Sequence, residues 1–104
     1  AWIGPGISQP NYEVGPEVRE AFVPDSGDAA SEACFAPRGD RFLADLPALA
    51  RLRLVRCGVE AVFDSGHCTY GDAALLHSWR RDGDSAGRQV AAICISAADS
   101  LFPT

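Results

Sequence analysis

Lysine and methionine are both missing from the 104 residues of this sequence, and histidine occurs only twice. The absence of lysine excludes Schiff-base chemistry and a Walker-type phosphate site from this chain, because both depend on a lysine side chain. The four cysteines form no C-x-x-C pair, which excludes a zinc ribbon and a redox motif of that spacing. The apolar runs are too short to span a bilayer, so we expect no membrane partner.

Positive charge is also scarce in this chain. Its nine basic residues are all arginines, they face 14 acidic residues, and the formal net charge is −5. A surface that binds nucleic acid needs clustered positive charge, so we expect no nucleic-acid partner. Because 47% of the residues are hydrophobic, the chain can bury a core, and its length predicts one globular unit or part of one.

The cysteines are Cys34, Cys57, Cys68 and Cys94, and by number alone they allow two disulfides. A domain with this apolar content does not depend on disulfides, so we predict four reduced thiols and a cytoplasmic location. Cys57 falls at the end of a predicted helix and Cys94 within a predicted apolar strand. We expect each of these two to serve as a small hydrophobe.

The clearest helix signal lies in residues 45–58. Asp45 can cap the start of this helix, and Gly58 is a stop signal at its end. A shorter helix is predicted at residues 16–22, where a proline suits the first turn. Residues 71–79 predict one or two further helical turns.

Strands are predicted before, between and after these helices, at residues 1–4, 41–43, 59–63 and 88–96, the last of them buried. Residues 23–33 are rich in Ser, Asp and Ala and are expected to form a mobile surface excursion. The alternation predicts an α/β class, with α+β as the alternative, built on a mixed sheet with packed helices. Because the sequence opens on apolar, strand-like residues, we expect that a preceding part of the protein is missing.

Three stretches, residues 4–22, 42–70 and 77–88, resemble the C-terminal part of the YfiH family in both order and spacing. They contain "YEVG", "CTY" and "RRDG…GR". Members of that family are called laccase-domain proteins, polyphenol oxidases, purine nucleoside phosphorylases and peptidoglycan editing factors. The resemblance implies the family's α/β fold, reminiscent of cysteine-hydrolase-like toxins. Residues 1–104 would then be the incomplete C-terminal segment of a single YfiH-like domain.

The resemblance also implies a divalent metal, usually zinc, bound by two histidines and one cysteine. These ligands belong to motifs in the N-terminal half of the family, and those motifs do not occur in this chain. We therefore expect no metal ligand and no cofactor in this segment alone. Copper is the alternative metal, although Pro10 and Asn11 stand where many relatives have cysteines, which weakens a laccase-like copper site.

The function that the resemblance implies for the intact protein is metal-dependent phosphorolysis of adenosine and inosine, with adenosine deamination alongside. The partners would be a purine nucleoside, phosphate and the N-terminal half of the same protein. The segment alone is expected to be inactive, and no catalytic residue is assigned to it. The alternatives are a copper-dependent polyphenol oxidase, a hydrolase that edits peptidoglycan precursors, and an inert scaffold fragment.

Arg80 and Arg81 are the candidate residues for binding substrate or an anion. A guanidinium group binds phosphate or carboxylate through two parallel hydrogen bonds, and a phosphorolytic enzyme needs a phosphate site. The alternative is that either arginine pairs with Asp64, Asp72 or Asp82 and fastens the loop. Neighbouring side chains tend to point in opposite directions, so we expect one arginine in each role.

Three further residues, Tyr12, Cys68 and Tyr70, are expected to support the site. Cys68 and Tyr70 belong to the "CTY" stretch, and Tyr12 to "YEVG". For Tyr12, packing of the ring is the alternative to substrate contact. His67 and His77 match no family ligand, and adjacent side chains such as His67 and Cys68 rarely converge on one metal.

Overall fold

The structure is a computed structural model that describes residues 1–24 and 27–95. Its strands are β1 (Trp2–Ile3), β2 (Glu13–Val14), β3 (Phe35–Arg38), β4 (Arg41–Ala44) and β5 (Phe63–Asp64). Its α-helices are α1 (Pro16–Phe22), α2 (Ala29–Glu32), α3 (Leu46–Arg56) and α4 (Trp79–Asp82), and two 3₁₀ turns cover Gln9–Asn11 and Gly83–Ser85. None of the helices in these ranges is long and apolar enough to cross a membrane.

Two small sheets give the chain both parallel and antiparallel pairing. Strand β4 lies between β2 and β3 in an antiparallel sheet, and β1 pairs with β5 in parallel. Gly39, with φ of +62°, makes the tight turn between β3 and β4, because a residue without a side chain adopts positive φ without strain. The predicted mixed α/β architecture is confirmed.

The core lies where β2, β3 and β4 meet the helices, and its buried apolar residues are Val14, Val23, Cys34, Phe35, Ala44 and Leu49. Phe35 packs edge-on against Phe42 at 6.4 Å between ring centroids, and its ring lies 6.1 Å from that of Phe22. Aromatic pairs in this geometry add to the free energy gained by burial. The core therefore joins α1 to the three-stranded sheet. The loop that precedes β2 is fixed to β4 by hydrogen bonds from Gln9 to Leu43 O and from Ala44 N to Tyr12 O.

The two helices predicted at residues 45–58 and 16–22 are confirmed. Helix α3 starts after Asp45, whose carboxylate accepts a hydrogen bond from the backbone N–H of Ala48 at 3.1 Å, and Gly58 follows its end with φ of +89°. Helix α1 covers residues 16–22, as predicted. Cys57, however, is exposed at the end of α3, so the expectation that it packs as a small hydrophobe is wrong.

The predicted surface excursion at residues 23–33 contains ordered structure. Helix α2 forms there because Asp28 caps it through the backbone N–H of Ser31. Arg56 from α3 then pairs with the same carboxylate at 2.7 Å. The capping residue thus also anchors α2 to α3, a long-range contact that the local composition does not reveal.

Three predicted elements differ from the structure. Of the predicted strand at residues 59–63, only Phe63 pairs as a strand, together with Asp64 beyond it. Within 71–79, the backbone N–H groups of Leu75 and Leu76 both donate to Asp72 O and form a single turn, and a helix begins only at Trp79. Residues 88–95 form no strand, and residue 96 lies outside the described residues.

The predicted buried strand at 88–96 is wrong for a clear physical reason. A strand needs a neighbour to satisfy its backbone, and no strand in the described ranges pairs with residues 88–95. Val90, Ile93 and Ile95 are consequently exposed, and Cys94 is exposed with them. The small-hydrophobe role expected for Cys94 is therefore also wrong.

Candidate functional site

Arg81 fastens the loop that connects β5 to α4. Its Nη1 donates hydrogen bonds to the carbonyl oxygens of Thr69 and Tyr70 at 2.8 and 3.0 Å, and its Nη2 donates to that of Leu76 at 2.8 Å. Its Nε and Nη2 also bind the carboxylate of Asp82, the shortest contact being 2.7 Å. This contact holds the pKa of Asp82 below its usual range. The donors of Arg81 are thus occupied by its own chain.

Arg80 points to different surroundings. Its guanidinium carbon lies 5.0 Å from the centroid of the Tyr12 ring, a cation–π contact. Its Nη1 donates to the carbonyl oxygen of Glu13 at 3.2 Å, which is its only hydrogen bond within the part of the chain that the structure describes. A guanidinium group carries five N–H donors, so Arg80 is positioned by its own chain and still has donors for a ligand.

Two cavities meet at Arg80. We call the first the two-arginine cavity; it has a volume of about 300 Å³ and is lined by Pro10, Asn11, Glu13, Arg38, Tyr70 and Arg80. The second, the aromatic cavity, has about 330 Å³, and Tyr12, His77, Trp79 and Arg80 are among its lining residues. One side of Arg80 therefore faces charged and polar groups, and the other faces aromatic rings.

Cys68 joins the loop after β1 to the loop after β5. Its sulfur accepts hydrogen bonds from the backbone N–H and the hydroxyl of Ser8, at 3.2 and 2.9 Å, and from the backbone N–H of Gly71 at 3.3 Å. Burial raises the pKa of the thiol, but the donors from Ser8, Gly71 and Tyr70 outweigh it and lower the pKa to about 7. A thiolate is therefore well populated near neutral pH.

The two histidines do not converge with Cys68. His67 Nδ1 lies 3.3 Å from a carboxylate oxygen of Asp72, and His77 Nδ1 accepts a hydrogen bond from the backbone N–H of Gly87 at 3.1 Å. A side chain at position 87 would clash with the His77 ring, since a Cβ there would lie 2.7 Å from Nε2. Both histidines thus contact residues of their own loops and stabilise the loop conformation.

The structure brings three of the five predicted site residues to one place and sets Cys68 close by. Tyr12 and Tyr70 lie beside Arg80, and Cys68 lies one loop away, where it fixes the chain that leads to Tyr70. Arg81 faces the loop backbone instead, where its hydrogen bonds to Thr69 and Tyr70 fix the loop that carries Tyr70.

Sequence reasoning missed two contributors. Arg38 lines the two-arginine cavity from the end of β3, and Ser8 supplies two donors to Cys68. The "RGDR" turn places Arg38 opposite Arg41 in the hairpin, and this signal could have drawn attention to Arg38.

Another cavity, of about 460 Å³, lies against α2 and α3 and includes Cys34, Leu52 and Val55 in its lining. It is larger than the two cavities at Arg80 but contains neither Arg80 nor Arg81. Its lining is mostly apolar, and its acidic members include Asp45, which is already bound to the start of α3. The convergent polar groups that characterise a ligand site lie instead around Arg80.

Comparison with known proteins identifies the family. The sequence model described as "multi-copper polyphenol oxidoreductase laccase" matches residues 1–96. The chain belongs to this laccase family. Its relatives include purine nucleoside phosphorylase YfiH of Escherichia coli K12, 48% identical over 82 residues, and a Pseudomonas aeruginosa purine nucleoside phosphorylase, 45% identical over 82 residues. These matches cover 79% and 77% of this chain and 33% of each relative.

A solved structure supports the fold as well. A Neisseria meningitidis protein of the DUF152 family superposes with a TM-score of 0.71 at 42% identity, over 79% of this chain and 34% of that one. The predicted YfiH resemblance and its fold are thereby confirmed. The chain spans about one third of the length of the relatives that it matches.

The laccase-family description points to a metal, and a metal site needs several donor side chains that converge on one point. Within residues 1–24 and 27–95, no three side chains of His, Cys, Asp or Glu converge on one point. His67 contacts Asp72 and His77 contacts Gly87, so each histidine faces a different partner. The described residues therefore do not fit a metal centre of their own, and no metal step is assigned to them.

Proposed function

We propose that the laccase-family protein carrying this chain is a purine nucleoside phosphorylase that acts on adenosine and inosine. Support comes from the relatives, several of which are named purine nucleoside phosphorylases. The structural observation that carries the proposal is Arg80, whose guanidinium group lies between a polar cavity and an aromatic one. Phosphorolysis needs an anion site beside a surface that accepts a flat base, and this arrangement offers both kinds of surface.

The reaction itself defines what each group must do. An oxygen of phosphate forms a bond to C1′ of the ribose as the bond from C1′ to the purine nitrogen breaks. The electron pair of that bond goes to the purine, which then takes up a proton. In this proposal Arg80 holds the phosphate oxygens through charge-assisted hydrogen bonds. Tyr12 fixes the guanidinium plane through its ring, so less conformational freedom is lost when phosphate binds.

The purine would lie against the aromatic cavity. Trp79 is 60% exposed at the start of α4; the Arg88 guanidinium carbon lies over its ring at 6.0 Å, and the remaining exposed surface is open to a base. Stacking on such a ring accepts any purine, because every base has a π face. The chain thus forms one wall of the pocket. Zinc as the metal, with copper as the alternative, and adenosine deamination beside phosphorolysis remain part of the proposal, and no step in this chain depends on them.

A second candidate is oxidation of phenols, and the family's description favours it directly. The two candidates are separated by their co-substrates. With the protein at its natural length, we expect free purine and a sugar 1-phosphate to form from adenosine and inosine only when phosphate is present. Oxygen consumption with a phenol, and no phosphate-dependent release of purine, would contradict the phosphorylase proposal and favour the second candidate.

A further inference from the structure

The two-arginine cavity contains more positive charge than its neighbourhood balances. Arg38 and Arg80 both line it, and of the four ion pairs in residues 1–24 and 27–95, none involves either of them. The one acidic lining residue, Glu13, is already paired with Arg41, whose Nε lies 3.8 Å from the Glu13 carboxylate. These three guanidinium groups against one carboxylate leave a net charge of +2 at the cavity, in a chain whose overall charge is −5.

The lining residues come from three separate parts of the fold, each of which is held in place. Arg80 is fixed by the Tyr12 ring and by the Glu13 carbonyl. Asn11 donates to the hydroxyl of Ser8 at 3.2 Å. Arg38 ends β3, and its strand pairing with Arg41 fixes its backbone. The fold therefore positions the Arg80 side chain and the backbone that carries Arg38 and Asn11, which lowers the entropic cost of binding.

We propose that Arg38 and Arg80 together bind a doubly charged phosphate group in the two-arginine cavity, and this inference rests on the proposed function. Two planar guanidinium groups offer paired N–H donors to a tetrahedral oxyanion, and their two charges balance a dianion. The shared chemistry is that of inorganic phosphate and of a sugar phosphate. Glu13 opposes binding because its carboxylate lies on the same cavity, and its pairing with Arg41 limits this repulsion.

Direct titration with inorganic phosphate tests the proposal without any assay of turnover. The natural-length protein is titrated by calorimetry at constant ionic strength, with chloride as the balancing anion. We expect R38Q and R80Q each to raise the Kd for phosphate about tenfold, since each removes charged hydrogen bonds. The control is R19Q, which makes the same change in net charge but lies over the Phe42 ring, outside the cavity. An equal Kd for R38Q and R19Q would overturn the proposal.

A variant that is expected to bind phosphate more tightly separates a change in the site from damage to the fold. E13Q removes the opposing carboxylate and keeps the backbone carbonyl that accepts from Arg80. It also frees Arg41 from its ion pair. We expect E13Q to lower the Kd for phosphate about threefold or more, because a nearby like charge is removed. Unchanged or weaker binding in a folded E13Q protein would contradict the proposal, since damage to the fold cannot strengthen binding.

The source of the phosphate group is resolved by a second titration, with ribose 1-phosphate. Binding of either ligand that R38Q weakens supports the inference, and binding of neither overturns it. The proposed function fails separately. If phosphate binds as described but no purine is released, the phosphorylase is wrong and the anion site stands. If purine is released with a phosphate requirement that R38Q does not change, the phosphorylase stands and the anion site is wrong.

Discussion

At the scale of single residues, adjacent arginines have opposite surroundings. The guanidinium group of Arg81 donates hydrogen bonds to Thr69, Tyr70, Leu76 and Asp82. Arg80 makes a single hydrogen bond within the described residues and keeps its other donors open. The sequence predicted one arginine in each role but gave no way to assign them. The assignment depends on where the loop backbone turns its carbonyl groups, which local sequence does not determine.

The Arg81→Ala substitution should destabilise the protein. It leaves three carbonyl oxygens and the Asp82 carboxylate without this donor. The carbonyl oxygens of Thr69 and Leu76 are partly buried, and leaving such an acceptor unpaired lowers the stability of the fold. We expect the melting temperature to fall by several degrees, and by clearly more than in Arg80→Ala. Calorimetric melts of both variants measure this. Equal melting temperatures for the two variants would show that Arg81 does not fasten the loop.

Cys68 should react as a thiolate near neutral pH. Its folded pKa of about 7 lies below the ordinary value of 9.0, so the folded state loses the proton first as the pH rises. Its contribution to stability is therefore fully present above about pH 9 and is lost as the pH falls through 7. We expect the rate of Cys68 alkylation by iodoacetamide, followed by peptide mass spectrometry, to have its midpoint near pH 7.

The Ser8→Ala variant serves as the matched comparison for this titration. It removes the hydroxyl that donates to the sulfur at 2.9 Å and keeps the backbone donor. The alkylation midpoint should then move to higher pH. A midpoint that stays where it was would mean that the hydroxyl does not stabilise the thiolate.

At the scale of elements, local capping made the helices predictable. The Asp45 cap and the glycine after the last turn fix the limits of α3 within one sequence window. The pairing of β2 with β4 joins residues almost thirty positions apart, and no local signal encodes it. The same holds for residues 88–95, whose apolar content is typical of a strand although the described chain offers them no neighbouring strand.

The cap of α3 can be tested directly. Asp45→Ala removes the acceptor for the backbone N–H of Ala48 and should cost about 1 kcal/mol in the free energy of unfolding. Denaturant unfolding measures the change. The control is Asp40→Ala, an acidic residue in the exposed turn between β3 and β4, and we expect it to change stability by less than half as much. A loss no larger than that of the control would contradict the capping role.

At the scale of the whole molecule, the candidate site is assembled from segments that lie far apart in the sequence. The class of fold, the family and most of the candidate residues followed from the sequence, because motifs and caps are local. The cavities at Arg80 did not, because they form where the loop after β1, the β3–β4 hairpin and α4 meet. Arg38 lines the site only because the fold brings these distant segments together.

The redox state of the whole chain is a further prediction. All four cysteines are unpaired in the structure, and they are Cys34, Cys57, Cys68 and Cys94. Thiol titration of the denatured protein, purified without reductant, should count four free groups. A count of two or zero would reveal disulfides and an oxidising compartment, against the cytoplasmic location that we predict.

The phosphate dependence of the Arg80→Ala variant shows whether Arg80 holds the phosphate substrate. Initial rates of adenosine and inosine phosphorolysis by the natural-length protein are measured against phosphate concentration, beside a thermal melt. Because Arg80 is exposed and fastens little of the fold, the melting temperature should stay close to that of the parent, while the KM for phosphate rises roughly tenfold. A folded Arg80→Ala protein with an unchanged KM for phosphate would contradict the account.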